Sequence, residues 1–274
     1  MKIGLIGCGK VGTTIFYLLK KNNRIIGVYD KLRKNQNRAV KLLGFKQNPC
    51  FTELCTESEA LFFATPDDQI KTAYNKARPF FKGKKVVFHF SGILSSSIFK
   101  KEKNISRASV HPFSSFPEIT LPPPEKKFFI FVEGDKKAVA AARKIFNSKS
   151  FVFRKIDRRK KSKHHLAGVF SSNLLVALIA AACDLARQAG WNKKDLNDII
   201  FSIIEETLHN VKKKGLRNGL SGPLARGDVK VIKKHLRALK KEKKLLRVYK
   251  ALSALIIHNI LTPNERKQMS ELDF

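Results

Sequence analysis

Acidic residues, cysteine and tryptophan are scarce in this chain of 274 residues. It has 22 Asp and Glu against 55 Lys and Arg, with four Cys and one Trp. The cysteines show neither metal-ligand spacing nor a disulfide framework, which predicts reduced thiols in a cytoplasmic protein and no metal site. The N-terminus lacks the charged, apolar and small-residue pattern of a signal peptide, so we expect no export.

Long uncharged runs are also rare, and residues 166–183 form one that reaches the lower limit for crossing a bilayer. The run contains Ser171, Ser172 and Asn173, and charged residues flank it on both sides. We interpret it as the buried central helix of a soluble domain and predict no membrane partner.

The excess of basic residues gives a formal net charge of +33, which taken alone would indicate a nucleic-acid or anionic-membrane partner. No basic motif with interleaved aromatic residues, as found in RNA-binding sheets, accompanies this charge. The basic residues instead form separate runs at 82–85, 100–103, 126–127, 154–163, 212–214 and 230–247. We interpret these runs as solvated surface that attracts small anionic substrates, and we predict no nucleic-acid partner.

The first thirty residues contain the most informative pattern. A short apolar run at 2–6 is followed by GCGKVG at 7–12, then by a helical apolar pattern, and then by a second apolar run that ends at Asp30. This order of strand, glycine loop, helix, strand and acid is typical of a dinucleotide site.

Each part of the glycine loop has a predicted task. Gly7 permits the tight turn, Gly9 lets a pyrophosphate approach the backbone, and Gly12 lets the helix pack closely on the strand. Lys10 and Val11 begin the helix, whose free N–H groups attract phosphate.

The choice of cofactor stays open at this point. Asp30 is spaced to accept a hydrogen bond from a ribose hydroxyl, which favours NAD. The neighbouring Lys31, Arg33 and Lys34 can accept the 2′-phosphate of NADP instead.

Strand and helix patterns alternate through the first half of the chain. Apolar runs predict strands at 61–65, 86–90, 106–110, 128–132 and 151–153, with helices at 68–80, 94–101 and 135–146. After residue 153 the patterns predict only helices, at 161–188, 193–213 and 229–258. The predicted fold is therefore α/β, with a Rossmann-like, mostly parallel sheet in a dinucleotide-binding domain at 1–155 and an all-α substrate and dimerisation domain at 156–274.

Polar residues follow the predicted strands, at the sheet edge where ligands bind. Thr65 and Pro66 are expected to contact cofactor, as are Ser91 and Gly92. His89 is a candidate for substrate binding together with Ser91.

His111 precedes a proline, which keeps it extended at the end of its strand. A histidine there can donate a proton to a carbonyl group that receives hydride. The alternative is a histidine that only fastens the following loop.

Two further segments contribute candidates. His165, Val169, Ser172 and Asn173 share one helix face, and His164 points about 100° away, so we expect only one of the two histidines to face a site. In the glycine-rich segment at 221–228, Ser221, Arg226 and Asp228 are candidate substrate contacts: Arg226 can hold a carboxylate, whereas Asp228 can equally be a helix cap.

Taken in order, these segments resemble a family of oxidoreductases that join a Rossmann-like domain to a helical C-terminal domain of unknown function. The resemblance rests on GCGKVG at 7–12, TPDD at 65–68, HFSG at 89–92, HPFSSFP at 111–117, His165 with Ser172 and Asn173, and SGPLARGD at 221–228. Its wider kin include ketopantoate reductase and pyrroline-5-carboxylate reductase. The resemblance implies an enzyme that reduces a small 2-oxo acid, with 2-dehydropantoate (ketopantoate) as the leading substrate, NADP as the favoured cofactor and a homodimeric assembly.

One departure from that family's pattern affects catalysis. Several of the kin place a catalytic Lys four residues before an Asn. If Asn173 is that Asn, Val169 stands at the Lys position, and if His165 replaces the Lys, Val169 stands at the Asn position. His165 or His111 must then supply the proton, with Asn173 beside them. The alternatives are a non-catalytic NAD(P) sensor and a cyclic-imine reductase of the pyrroline-5-carboxylate type.

Overall fold

The computed structural model describes residues 1–119, 123, 125–272 and 274. They form two compact units, Met1–Asn173 and Leu174–Phe274. The predicted boundary at 155/156 coincides with the end of the last strand. The compact division falls later because the first helix after that strand contacts the sheet of the first unit.

A seven-stranded sheet forms the centre of the first unit, in the order β2-β1-β3-β4-β5-β6-β7. All neighbouring strands are parallel except β5 and β6, which are antiparallel. This confirms the predicted α/β class with a mostly parallel sheet. The strands are β1 Lys2–Ile6, β2 Arg24–Tyr29, β3 Ala60–Phe63, β4 Lys85–His89, β5 Ile105–Phe113, β6 Phe128–Gly134 and β7 Phe151–Lys155.

Six helices accompany this sheet: α1 Lys10–Leu19, α2 Arg33–Leu43, α3 Phe51–Glu57, α4 Ile70–Ala77, α5 Lys136–Ile145 and α6 Lys161–Ser171. The apolar residues of α1, α2 and α5 pack in one core and those of α3 and α4 in another, so both faces of the sheet are covered. Parallel strands covered on both faces bring their carboxyl ends to one edge.

The helix predicted at 94–101 is wrong, because only a 3₁₀ turn, Ser96–Ile98, forms there. Side chains take the amide hydrogens that a helix would need. The Ser91 hydroxyl accepts from the N–H groups of Ile93 and Leu94, and the Glu133 carboxylate accepts from that of Ser96.

The second unit is helical and has two small apolar cores, centred on Leu196 and on Ile257. Its helices are α7 Asn173–Gln188, α8 Lys193–Asp195, a π-helical segment Leu196–Ile200, α9 Phe201–Gly219, α10 Pro223–Arg226, α11 Val229–Ala238, α12 Lys243–Asn259 and α13 Pro263–Gln268. The π-helical segment continues directly into α9.

Two helices predicted as continuous are broken. The first breaks at Ser172, with φ −131° and ψ −71°, where its hydroxyl donates to the Gly168 carbonyl at 2.7 Å. Such a bond competes with the regular helix ladder. The second breaks at Glu242, with φ −94° and ψ 64°, after a turn of 3₁₀ helix.

The expectation that residues 166–183 are buried is also wrong. Leu166, Phe170 and Val176 are each more than half exposed, because their helices present these side chains outward in the single chain. By length and composition the helical stretch Arg158–Gln188 could cross a membrane.

Candidate functional site

The glycine loop follows β1 and has the geometry that its sequence predicts. Gly7 has a φ of +100°, and a Cβ there would lie 2.6 Å from the backbone of Ala64. A Cβ on Gly12 would lie 2.5 Å from the Gly7 carbonyl oxygen. Gly9 differs from both, because no heavy atom lies within 4 Å of its Cβ position. The fold thus requires Gly7 and Gly12, whereas Gly9 leaves open space.

That open space fits the pyrophosphate of a dinucleotide. Gly9 caps α1 without any side chain accepting from the first N–H groups, so the amides of Lys10 and Val11 point to a phosphate site. Thr65, followed by Pro66, leaves β3 next to Gly7, and its buried hydroxyl has no partner among the described residues. A donor of this kind is available to a bound cofactor.

Asp30 has a second task besides the predicted one. Its carboxylate oxygens accept from the N–H groups of Cys8 at 2.7 Å and Leu32 at 2.8 Å, which fastens the glycine loop to the end of β2. The exposed Arg33 begins α2 three residues further on. A cation there suits a 2′-phosphate.

Ser91 is a structural link instead of a free ligand. Its hydroxyl donates to the Asp67 carboxylate at 2.8 Å and accepts from two backbone N–H groups. This network holds the loop after β4, so that Gly92 lies against two rings. A Cβ on Gly92 would lie 2.8 Å from Nε2 of His111 and would also touch Nδ1 of His165.

Three histidines therefore meet at the carboxyl ends of β4 and β5. The ring centroid of His111 lies 5.6 Å from that of His164 and 6.0 Å from that of His165. Of the two helical histidines, it is His165 that lines the cavity beside these rings. His164 packs against the rings of Phe113 and Phe131 in tilted contacts, with ring centroids 4.7 Å and 4.1 Å from its own.

A cavity of about 340 Å³ opens beside these rings. It brings together four residues predicted to act together, His111, His165, Ser172 and Asn173. The side chain of Val169 and the ring of Phe113 supply an apolar wall.

The residue that sequence reasoning missed is Lys161, the first residue of α6. It is 3% exposed, and its Nζ donates to the Ser109 hydroxyl at 2.5 Å and to the Ser91 carbonyl at 3.1 Å. A signal existed, because Lys161 stands four residues before His165, the Lys-to-Asn spacing of the kin with His in place of Asn. Burial lowers the pKa of Lys161 to about 8, while Glu133 and Asp67 favour its charged form.

Lys161 also sets the electrostatics of the histidines. Burial lowers the pKa of both His89 and His111 to about 3, and the positive charge of Lys161 adds to each shift. Burial and then Lys161 lower the pKa of His164 as well. The site therefore combines one ammonium group with neutral imidazoles at pH 7.

The interpretation of every basic run as solvated surface is wrong at two positions. Lys85 and Lys161 belong to such runs, yet each is 3% exposed because buried oxygen atoms accept from its ammonium group. Within the described ranges, no group of three His, Cys, Asp or Glu side chains is arranged to hold a metal ion.

Ser221, Arg226 and Asp228, the remaining candidates, belong to the second unit. Ser221 and Arg226 are exposed. Asp228 caps α11, since its carboxylate accepts from the N–H of Val231 at 3.1 Å. Their contact with substrate stays a prediction.

Several solved structures have folds similar to that of this chain. A candidate NADP oxidoreductase of Bacteroides fragilis is 21% identical, with a TM-score of 0.76 over 93% of this chain and 97% of that one. A Thermotoga maritima protein is 25% identical, with a TM-score of 0.70 over 98% and 99% of the two chains. Pyrroline carboxylate reductase of Plasmodium falciparum, solved with NADP bound, is 15% identical with a TM-score of 0.60 over 98% of both. The fold is thus that of the Rossmann-type NAD(P) oxidoreductases.

A family model matches part of the chain. Residues 128–256 match the family described as "Domain of unknown function (DUF2520)". The match covers 129 of the 274 residues, and it agrees with the sequence resemblance in placing a domain of unknown function in the C-terminal part of the chain. No curated protein matches the chain.

Proposed function

We propose that the protein is an NADPH-dependent reductase of a small 2-oxo acid, with 2-dehydropantoate as the leading substrate. One observation carries the proposal: the open glycine loop and the cluster of Lys161, His111 and His165 lie at the same edge of the sheet. A bound nicotinamide cofactor supplies the hydride. The chain must then bind the acid and deliver one proton to the carbonyl oxygen.

The electrostatics divide these tasks between the residues. With a pKa of about 8, Lys161 is largely protonated at pH 7 and can hold the proton that the product needs. His111 is neutral at that pH, so its ring can hydrogen-bond to a carbonyl oxygen without carrying charge. The positive charge of Lys161 also favours a substrate carboxylate over a neutral ketone.

The cavity supports a small, branched substrate. Its volume of about 340 Å³ is at the low end for small-molecule sites. Ser172 and Asn173 offer polar contacts on one side, and Val169 offers an apolar contact on the other. We propose that Arg226 and Ser221 complete the substrate contacts.

The first experiment pairs two lysines of the same helix. Purified protein is mixed with NADPH and a panel of 2-oxo acids, and absorbance at the reduced-nicotinamide band is followed. Lys161→Met is expected to lower kcat by about 100-fold or more while NADPH still binds. Lys163→Met removes the same charge from an exposed position and should leave kcat unchanged.

Two outcomes would contradict the proposal. If NADPH binds but no 2-oxo acid is reduced, the protein is a sensor or uses another substrate class. If both lysine variants lose activity equally, general surface charge and not the buried ammonium group supports the rate.

The cofactor choice has its own test. Arg33→Ala should weaken the binding of NADPH by about tenfold and leave the binding of NADH unchanged, because one charged contact to the 2′-phosphate is lost. Arg24→Ala is the control, since this exposed arginine begins β2 at the other edge of the sheet. An equal loss of NADPH affinity in both variants would mean that Arg33 is not part of the proposed cofactor site.

Reduction of a cyclic imine is the second candidate. An imine reductase and a reductive aminase from Aspergillus terreus have TM-scores of 0.61 and 0.64, at 12% and 13% identity. The likeness favours including five-membered cyclic imines in the substrate panel. Faster turnover of an imine than of any 2-oxo acid would decide for this alternative.

We further propose that the active form is a cytoplasmic homodimer that binds neither membrane nor nucleic acid. In the second unit, α7 and α9 expose Val176 by 65% and Ile203 by 59%. Light scattering should give twice the 31.0 kDa of one chain. Val176→Glu with Ile203→Glu should give monomer, whereas Leu32→Glu, at an exposed leucine of the first unit, should not.

A further inference from the structure

A second cavity of the first unit lies at the other edge of the sheet, away from the glycine loop. It measures about 650 Å³ and opens where β6 and β7 end and α5 begins. Because β6 runs antiparallel to β5, these carboxyl ends point away from those of β1, β3 and β4. Five basic side chains line the cavity: Arg107, Lys136, Arg143, Lys155 and Arg158.

The two acidic residues of the cavity are already engaged. Glu133 is buried, and its two carboxylate oxygens accept from the N–H of Ser96 at 2.6 Å and from its hydroxyl at 2.8 Å. Asp135 accepts from the N–H of Arg107 at 3.0 Å and lies 3.9 Å from the Nε of the same arginine.

Arg107 anchors the floor of the cavity. Its side chain is only 15% exposed, and Nη1 donates to the carbonyl oxygen of Phe99. The Nε of Arg107 is buried without a hydrogen bond to any described residue. The floor of the cavity thus contains a guanidinium group that the fold holds in place.

The other four cations of the cavity have no partner of opposite charge in the part of the chain that the structure describes. Lys136, Arg143, Lys155 and Arg158 form no ion pair with the residues that the structure describes. Four like charges around one concave volume repel each other, and low-dielectric walls strengthen that repulsion. A bound anion would remove this cost.

We propose that this cavity binds a small polyanion that carries phosphate groups. Three of the five cations are arginines, whose planar forks match phosphate oxygens in two-point contacts. The volume is sufficient for a metabolite-sized ligand. This site is separate from the proposed reductase site, so its test does not depend on turnover.

The test measures binding of sodium tripolyphosphate and of inorganic phosphate to the full-length protein by titration calorimetry, at physiological ionic strength. Arg143→Gln with Arg158→Gln removes two exposed cations of the cavity. The matched control, Lys82→Gln with Lys84→Gln, removes two exposed cations outside it. We expect one tripolyphosphate per chain, bound about 30-fold more weakly by the arginine variant and within about twofold of wild type by the control, as each of the two lost charged contacts costs on the order of 1 kcal/mol.

Three outcomes would overturn the proposal: no saturable binding, equal weakening in both variants, or unchanged affinity in the arginine variant. The last would mean that the anion binds outside this cavity. Circular dichroism melting curves should agree among the proteins, because all four substituted side chains are exposed. A variant that melts early is replaced by the single change Arg158→Gln, for which a smaller loss of affinity is expected and an unchanged affinity again refutes the site.

Discussion

Lys85 and Lys161 are two lysines of the first unit that the fold buries to the same extent. Each is 3% exposed, and burial lowers the pKa of both ammonium groups. The Nζ of Lys85 donates to the backbone oxygens of Thr56 at 2.6 Å and Ser58 at 2.5 Å. Lys161 donates to one carbonyl and one hydroxyl, beside histidines and a cavity. Burial alone therefore does not mark a functional lysine, and the neighbouring groups do.

Position in the sheet explains the difference. Lys85 begins β4, at the amino edge, where its ammonium group ties the end of α3 to the strand. Lys161 reaches β5 from α6 and contacts Ser109, two residues before His111. Two buried lysines thus have different roles: Lys85 ties two elements together at one edge, and Lys161 is the proposed proton source near the other.

The largest effect that we expect concerns Lys85. Lys85→Met should lower the free energy of unfolding by about 3 kcal/mol, because two buried carbonyl groups lose their donor. The kcat should stay within about twofold, since no proposed catalytic group contacts Lys85. Denaturant titration and steady-state kinetics measure the two quantities. Lys84→Met, at the exposed neighbour, controls for loss of charge. A Lys85→Met protein that is as stable as wild type but inactive would mean that Lys85 supports the reaction and not the fold.

The second prediction concerns the histidines near Lys161, which have no counterpart near Lys85. His89 is the one tested. The pKa of His89 is about 3 in the folded protein, well below its unfolded value, so the unfolded chain binds more protons below about pH 6.5. This histidine therefore lowers the free energy of unfolding by about 2 kcal/mol between pH 6.5 and 5. His89→Phe should flatten that slope.

His258→Phe provides the comparison for this measurement, because His258 is exposed. Denaturant titrations at pH 7 and pH 5 should show the wild-type slope in His258→Phe and a reduced slope in His89→Phe. An unchanged slope in both variants would mean that His89 is not buried as a neutral ring.

The third prediction removes the hydroxyl that accepts from Lys161. Ser109→Ala should lower kcat by about tenfold, because the ammonium group loses one of its two fixed partners. Loss of a group that stabilises the charged form lowers the pKa of Lys161 further. The rate, which should fall above about pH 8 in wild type, should then fall at a lower pH.

Ser106→Ala, on the same strand, is the matched control and should keep the wild-type profile of rate against pH. If Ser109→Ala lowers kcat but leaves the alkaline limb in place, the hydroxyl does not act through the charge of Lys161.

The smallest effect is expected at Asp67, an exposed carboxylate that favours the charged form of Lys161. Asp67→Asn should move the alkaline limb to lower pH by less than about half a unit, because solvent screens an exposed charge. Asp68→Asn, at the adjacent exposed residue, should not move it. A larger shift for Asp68→Asn would indicate that general surface charge sets the limb.

The glycine loop could be predicted from sequence because its requirements are local. Gly7 and Gly12 meet backbone atoms a few residues away or on the adjoining strand, so residue type and spacing carry the information. Asp30 was predicted only in part, since its contact with the N–H of Cys8 depends on how the loop closes.

The spacing of Lys161 to His165 was a signal, but the burial of Lys161 could not be predicted from local sequence. Lys161 lies in a basic run, and its burial depends on Ser91 and Ser109, which are distant in sequence. The contacts of His164 have a similar cause: ideal helix geometry gives the angle between neighbouring side chains, while the positions of Phe113 and Phe131 determine what the ring packs against. The exposure of apolar side chains on α7 and α9 could not be predicted either, because an apolar pattern does not say what covers it.

The break at Ser172 has a consequence for recombination between proteins of this kind. A hybrid joined at 155/156, where the strands stop, would import a foreign α6 and with it a different lysine or none. A hybrid joined after Asn173 would keep Lys161 and Ser109 as one inherited piece and exchange only the helices beyond. The position at which this chain can be cut without separating Lys161 from Ser109 and His111 therefore lies inside what its sequence presents as a single helix.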